Sequence, residues 1–176
     1  MSDIATWIAH RLPANTDLTP KQAGELAREI RAAEELWRPH VRHDEAERFY
    51  AQLYRDPNVD VWLICWVAGQ STGYHDHDRS GGGVAVCEGV LCEDFFCRGD
   101  DGWIREETRA HESGGFFVFD STYIHGVRHP GGDTAPATSI HCYSPALWRM
   151  GHYEPDESGV MRRVSVTYAD ELLGVA

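Results

Sequence analysis

From Val59 onward the chain is divided into short segments separated by turn-forming stretches, and this rhythm constrains the fold more than any other feature. Val59, Val61, Leu63, Cys65 and Val67 alternate with Asp60, Trp62, Ile64 and Trp66, a period of two whose faces both turn apolar, as in a strand covered on each side. Further strands are expected over 83–87, 90–97, 103–109, 116–119, 138–143, 149–154 and 160–168. Between them lie Glu88-Gly89, Gly99-Asp100-Asp101-Gly102, Ser113-Gly114-Gly115, Pro130-Gly131-Gly132-Asp133 and Pro155-Asp156-Glu157-Ser158-Gly159, whose glycines, prolines and aspartates favour turns. Many short strands joined this way predict a mainly β protein, an antiparallel sandwich or barrel of the jelly-roll kind.

The first third reads as helical and is expected to pack outside the barrel. Thr19-Pro20-Lys21-Gln22 supplies a capping residue, proline at the first helical position and Gln three residues after the cap. Ala23, Leu26, Ile30 and Ala33 then recur at helical spacing. Asp44 is read as the cap of a second helix carrying Ala46, Phe49, Tyr50 and Leu53, stopped by Asp56-Pro57-Asn58. With 176 residues there is room for one well-buried domain, expected to comprise a helical segment over 1–56 and a β-barrel over 57–176.

A formal net charge of -12 argues against a nucleic-acid partner or an anionic membrane, since binding phosphates requires a concentration of Lys and Arg. Small molecules are the expected partners. The start has an early acid and no long apolar run, and no later segment is apolar enough to span a bilayer, so the cytoplasm is the expected location. Cys65, Cys87, Cys92, Cys97 and Cys142 form an odd set with no Cys-x-x-Cys pair, which suits small core hydrophobes better than disulfides.

Chemistry concentrates on histidine. In a strand, residues two apart share a face, so His75 and His77 can present both imidazoles to one metal ion. His125, in Asp120-Ser121-Thr122-Tyr123-Ile124-His125-Gly126-Val127, is the candidate third ligand, placed just past a strand where a loop could return it to the barrel mouth. Three neutral ligands leave coordination positions open for a substrate and O2, which marks a catalytic rather than a structural site. Asp76, Asp78 and Asp120 are candidates to orient these imidazoles. His10, His40, His43, His111 and His152 have no partner at ligand spacing, and His129 reads as a loop residue.

Here the sequence resembles a family. Gly69, five residues, His75-x-His77, four residues, position 82, six residues and Gly89 reproduce the spacing of the first cupin motif; Gly114 followed eleven residues later by His125 reproduces the second. The usual cupin has a glutamate ligand at position 82, where this chain has Gly82. That is similar to the thiol dioxygenase branch, the cysteine dioxygenase family, and the resemblance implies ferrous iron, Fe(II), held by three histidines. Mammalian members carry at that position a cysteine crosslinked to a tyrosine; Gly82 implies no crosslink. Ser139-Ile140-His141-Cys142-Tyr143-Ser144-Pro145 resembles the family's Ser-x-His-x-Tyr-Ser-Pro strand, and its alternation places Ser139, His141 and Tyr143 on one face as a hydrogen-bonded row.

At the substrate end, family members carry an arginine in a Tyr-x-Arg segment that pairs with the substrate carboxylate. The similar segment here is Tyr50-Ala51-Gln52-Leu53-Tyr54-Arg55, with Gln52 in the arginine's place, as in the 3-mercaptopropionate dioxygenases. Tyr50 and Gln52 are therefore expected to bind substrate, with Arg55 the rival anchor of the carboxylate. The resemblance, which extends over about 50–145, implies an Fe(II)-dependent dioxygenase converting a small thiol carboxylate, cysteine or 3-mercaptopropionate, with O2 to the sulfinic acid. Imidazole ligands also suit zinc, manganese and nickel, which leaves open a cupin of another metal-dependent class, or a cupin that binds a small molecule without chemistry.

Overall fold

The computed structural model describes residues 3–98, 100, 104–158 and 160–167. Three short helices, α1 (Ile4–Ala9), α2 (Pro20–Ala32) and α3 (Glu34–Trp37), precede eleven strands. The strands are β1 (Phe49–Arg55), β2 (Asp60–Trp66), β3 (Tyr74–Asp76), β4 (Gly81–Glu88), β5 (Val90–Arg98), β6 (Ile104–Glu112), β7 (Phe116–Phe119), β8 (His125–Arg128), β9 (Ala137–Ser144), β10 (Arg149–Pro155) and β11 (Met161–Thr167). They form two antiparallel sheets, a five-stranded one in the order β1-β2-β9-β4-β7 and a six-stranded one in the order β11-β10-β3-β8-β5-β6. The expected turn at Gly99-Asp100-Asp101-Gly102 and the expected strand ends at Trp103 and Tyr168 fall largely outside the described residues.

The expected helix α2 forms with its capping box: Thr19 Oγ1 accepts from the Gln22 amide at 3.3 Å, and the Thr19 amide donates to Gln22 Oε1 at 2.9 Å. Ala23, Leu26, Ala27 and Ile30 form its buried stripe. The stripe lies on the five-stranded sheet so closely that a Cβ on Gly83 would come within 2.4 Å of the Gly24 Cα, so glycine on both elements lets backbone meet backbone.

Two apolar layers result. Outside, Ile8, Leu26, Ile30 and Trp37 of the helices pack on Val61, Leu63, Cys65, Ile140 and Cys142. Between the sheets, Trp62, Ile64, Trp66, Val84, Val86, Phe117, Phe119 and Tyr143 form the barrel interior. Alternate residues of β2 thus serve different layers, which is why both faces of that strand are apolar. At about 1.5–3 kcal/mol for each buried large apolar side chain, the helical cover stabilises the sheet it hides. Of the five cysteines, Cys65, Cys87, Cys92 and Cys142 are buried.

One expected element is different. The helix read from Asp44 through Leu53 does not form: Asp44 accepts from the Ala46 amide in a turn, and Phe49–Arg55 is strand β1, paired with β2. Tertiary pairing overrides the local signal here. Phe49, Ala51 and Leu53 face the helices while Tyr50 faces the interior, a period of two that apolar residues on both faces disguise. The helices therefore end well before residue 56, and the five-stranded sheet begins at Phe49.

Candidate metal centre

The three expected ligands come together inside the barrel. β3 and β8 pair with His75 directly opposite His125, so His125 opens a strand rather than lying in a loop beyond one. His77 falls one residue past the end of β3, where a tight turn, with Asp78 at φ 55° and the Ser80 amide donating to the His77 carbonyl at 3.0 Å, keeps it on the same side as His75. Ring centroids lie 4.7 Å apart for His75 and His77, 4.8 Å for His75 and His125, and 5.3 Å for His77 and His125. One nitrogen from each lies within 4.8 Å of the others, and all three side chains are buried.

Their chemistry fits a divalent ion. Burial, and then the neighbouring imidazoles, hold His75 and His77 well below the usual imidazole range, so both are neutral and offer lone pairs. His75 Nδ1 donates to the Gly73 carbonyl at 3.1 Å and His125 Nδ1 to Glu93 Oε1 at 3.1 Å, which leaves both Nε2 atoms to face the cavity. His77 Nδ1 has no hydrogen-bond partner among the described residues; its ring stacks on Phe119 with centroids 4.4 Å apart.

Gly82 brings no fourth ligand. It pairs with Phe119 across β4 and β7, and a Cβ there would lie 2.5 Å from the Cys142 carbonyl oxygen and 2.7 Å from the Phe119 ring. Phe119 occupies the space a longer side chain at position 82 would need.

On β9, Ser139, His141 and Tyr143 form the expected row. Ser139 Oγ lies 2.8 Å from His141 Nε2, and His141 Nδ1 lies 3.3 Å from the Tyr143 hydroxyl. Trp66 extends the row, its indole N–H donating to Ser139 Oγ at 2.9 Å. Burial, followed by the neighbouring His125 and Arg48, pushes His141 down to about 3, so it works as a neutral ring. With Ser139 donating to Nε2, His141 donates from Nδ1 to Tyr143, whose ring lies 5.2 Å from that of His77.

A cavity of about 50 Å³ joins row and triad, walled by Trp62, Ile64, Val127, Leu147 and Met150 and holding His75, His77, His125, His141 and Tyr143 in its lining. A single water needs roughly 10–15 Å³ on this measure, so the space suits a ligand of a few heavy atoms. Of the expected substrate-binding residues, Tyr50 lines this cavity; Gln52 and Arg55 do not. Both are drawn to Asp60, a fully buried carboxylate: Gln52 Nε2 donates to Oδ1 at 3.0 Å, and Arg55 donates to Oδ2 and, at 2.9 Å, to the Leu147 carbonyl. An uncompensated carboxylate at that depth would cost several kcal/mol, and this fixes both donors away from the cavity.

The guanidinium that does line the cavity is that of Arg48. It donates to the Tyr50 hydroxyl and to the Ser71 carbonyl, and it lies 4.9 Å from the Trp66 ring and 5.0 Å from the Tyr50 ring. Arg48 and Tyr50 are two apart, so a strand over this segment places them on one face; the helical pattern of the segment conceals Arg48 beside Tyr50. Asp76, Asp78 and Asp120 also fall elsewhere. Asp76 accepts from Tyr153 and Arg163, Asp78 lies 3.4 Å from Arg163, and Asp120 accepts from Thr122. The carboxylate that reaches a candidate ligand is Glu93 on β5. Its inward position between Leu91 and Phe95, a charge on the apolar parity of a strand, was the available sequence signal.

Two antiparallel sheets enclosing three inward histidines near the strand ends define a cupin with a candidate metal centre. More narrowly, residues 15–156 match the family profile described as Cysteine dioxygenase type I, and the chain belongs to that family. Cysteine dioxygenase type 1 of Homo sapiens is 23% identical over 92% of this chain and 82% of its own length, and that of Bos taurus is 24% identical over the same shares. Among solved structures, a Desulfitobacterium hafniense cupin superfamily protein aligns with a TM-score of 0.48 and 10% identity, over 59% of this chain and 83% of the other.

Proposed function

We propose that this chain is an Fe(II)-dependent dioxygenase that converts a small thiol carboxylate, cysteine or 3-mercaptopropionate, to its sulfinic acid. The observation that carries the reading is one small cavity that three buried histidines, the Tyr143 end of the hydrogen-bonded row and the Arg48 guanidinium all line. Family membership supports the reaction class. The reaction balances without a further reductant: thiol sulfur gives up four electrons, O2 takes them, and both oxygen atoms end on sulfur.

An Fe(II) ion held by His75, His77 and His125 would lower the thiol pKa and bring thiolate and O2 together. The chain's own residues do the remaining work. Arg48, already oriented by Tyr50 and the Ser71 carbonyl, takes the substrate carboxylate in a charge-assisted hydrogen bond. Because the guanidinium is built in place, little conformational freedom is lost on binding. Tyr143, fixed by His141 and through it by Ser139 and Trp66, sets a phenol beside the histidine triad. Trp62, Ile64, Val127 and Leu147 exclude water and strengthen each polar contact inside. The compact cavity selects small thiols.

The deciding experiment is O2 consumption by iron-loaded protein offered cysteine, 3-mercaptopropionate, cysteamine and mercaptosuccinate, with sulfinate measured as product. Uptake with cysteine or 3-mercaptopropionate, one O2 per sulfinate, is expected. No uptake above the metal-free control with any of the four would overturn the proposed reaction.

A further inference from the structure

We infer that Glu93 is the positioning residue of this metal centre: from behind His125 it supplies the negative charge that Gly82 does not bring, and it fixes which nitrogen of His125 faces the ion. The inference rests on the three-histidine metal reading above. Glu93 is 1% exposed, in the middle of β5, and its two carboxylate oxygens are divided between two imidazoles: Oε1 lies 3.1 Å from His125 Nδ1, and Oε2 lies 2.9 Å from His111 Nε2. The β5–β8 register sets Phe95 opposite His125, and Glu93, two residues earlier on the same face, reaches back to the ring.

Isolated, such a carboxylate would be strongly disfavoured, and its persistence requires partners that use both oxygens. His111 is one of them, itself 7% exposed and packed with its ring 4.6 Å from that of Phe117. The Tyr123 hydroxyl also hydrogen-bonds Glu93, and the remaining partner is a ligand. A carboxylate accepting from the remote N–H of a metal-bound imidazole holds its tautomer and makes it a stronger donor. The three ligands therefore differ in what stands behind them: a carboxylate behind His125, a backbone carbonyl behind His75, and no hydrogen-bond partner among the described residues behind His77 Nδ1. The usual cupin places its carboxylate on the metal from position 82. Here that position has no room for one, and the negative charge lies one residue further out.

The test uses the full chain stripped of metal and titrated with Zn(II) against a chromophoric chelator. Glu93→Gln keeps the size of the side chain and an oxygen to accept from His125 but removes the charge. It is expected to bind Zn(II) about 10- to 100-fold more weakly than wild type while the metal-free melting temperature stays within a few degrees. Binding within threefold of wild type would overturn the inference. Should wild type itself bind no Zn(II), the metal reading fails and this inference falls with it, a result distinct from equal binding by both proteins. A second measurement needs no variant: side-chain 15N NMR of the metal-free wild-type protein should show His125 protonated on Nδ1 and bare on Nε2. The opposite tautomer would overturn the inference even if Glu93→Gln did not fold.

Discussion

Gly82 and Phe119 face each other across the β4–β7 ladder, and the phenyl ring fills the volume that a side chain on Gly82 would occupy. A Cβ at this position meets a backbone carbonyl as well as a ring, so relief requires the sheet itself to shift. Gly82→Ala is expected to lower stability by about 1–3 kcal/mol, the range of overpacked cores, and the melting temperature by several degrees. Gly82→Glu should do at least as much and gain no metal affinity. Thermal unfolding and metal titration of the two variants check this, and unchanged stability of Gly82→Ala would show that the sheet opens more easily than the contacts imply.

The row from Trp66 to Tyr143 is expected to act as a unit. Ser139→Ala removes the group that meets His141 Nε2 and also the acceptor of the buried Trp66 N–H. Leaving a buried donor unpaired costs about 1–3 kcal/mol, so this variant should lose stability as well as turnover. His141→Gln and Tyr143→Phe should lower kcat with little loss of metal. The double variant Ser139→Ala/Tyr143→Phe should be less than multiplicatively impaired, because both changes break one chain of hydrogen bonds. Steady-state kinetics of the two singles and the double decide it; strict multiplicativity would mean the residues act independently.

Asp60 gives a pH dependence whose sign can be worked out. Burial raises its pKa, only partly opposed by hydrogen bonds from Trp62 and Gln52 and by Arg55. A carboxyl with a raised folded-state pKa contributes stability below its unfolded value, near 3.9, and loses that contribution as pH rises through the folded value. Asp60→Asn removes this titration. Wild type should therefore become progressively less stable relative to Asp60→Asn as pH rises from about 3 through the folded pKa. Urea unfolding of both proteins across that range measures the difference, and a pH-independent gap would refute the raised pKa.

Much of the candidate site can be read in the sequence because most of its residues lie on period-two segments. His75 and His77, two apart, and Ser139, His141 and Tyr143, alternating along β9, need only strand geometry to share a face. The strands of the barrel are marked by glycine turns, and α2 by its capping box. What the sequence conceals depends on long-range pairing. β1 looks helical because Phe49, Tyr50 and Leu53 fit a helical stripe, and only its pairing with β2 reveals that alternate residues face separate layers. Glu93 and His111 stand 18 positions apart, and nothing local announces that β5 and β6 bring them to one hydrogen bond. Asp60 draws Gln52 and Arg55 to itself because a buried charge outweighs their local preferences.

Arg48 is the residue on which substrate choice is expected to turn. Arg48→Gln keeps a shorter hydrogen-bond donor but removes the charge and the forked geometry of the guanidinium. A charge-assisted hydrogen bond contributes about 1.5–3 kcal/mol, so kcat/KM for 3-mercaptopropionate should fall about 10- to 100-fold, chiefly through KM. Cysteamine carries no carboxylate, so its turnover, however slow, should change by less than threefold. By contrast, Gln52→Ala and Arg55→Lys should act mainly on stability, since both side chains serve Asp60 rather than the cavity. Steady-state kinetics on both thiols, with metal content measured for each variant, separate the possibilities. Equal losses for the two thiols in Arg48→Gln would show that Arg48 organises the cavity and does not hold the carboxylate. A selective loss in Gln52→Ala would return the anchor to the position expected from the family resemblance.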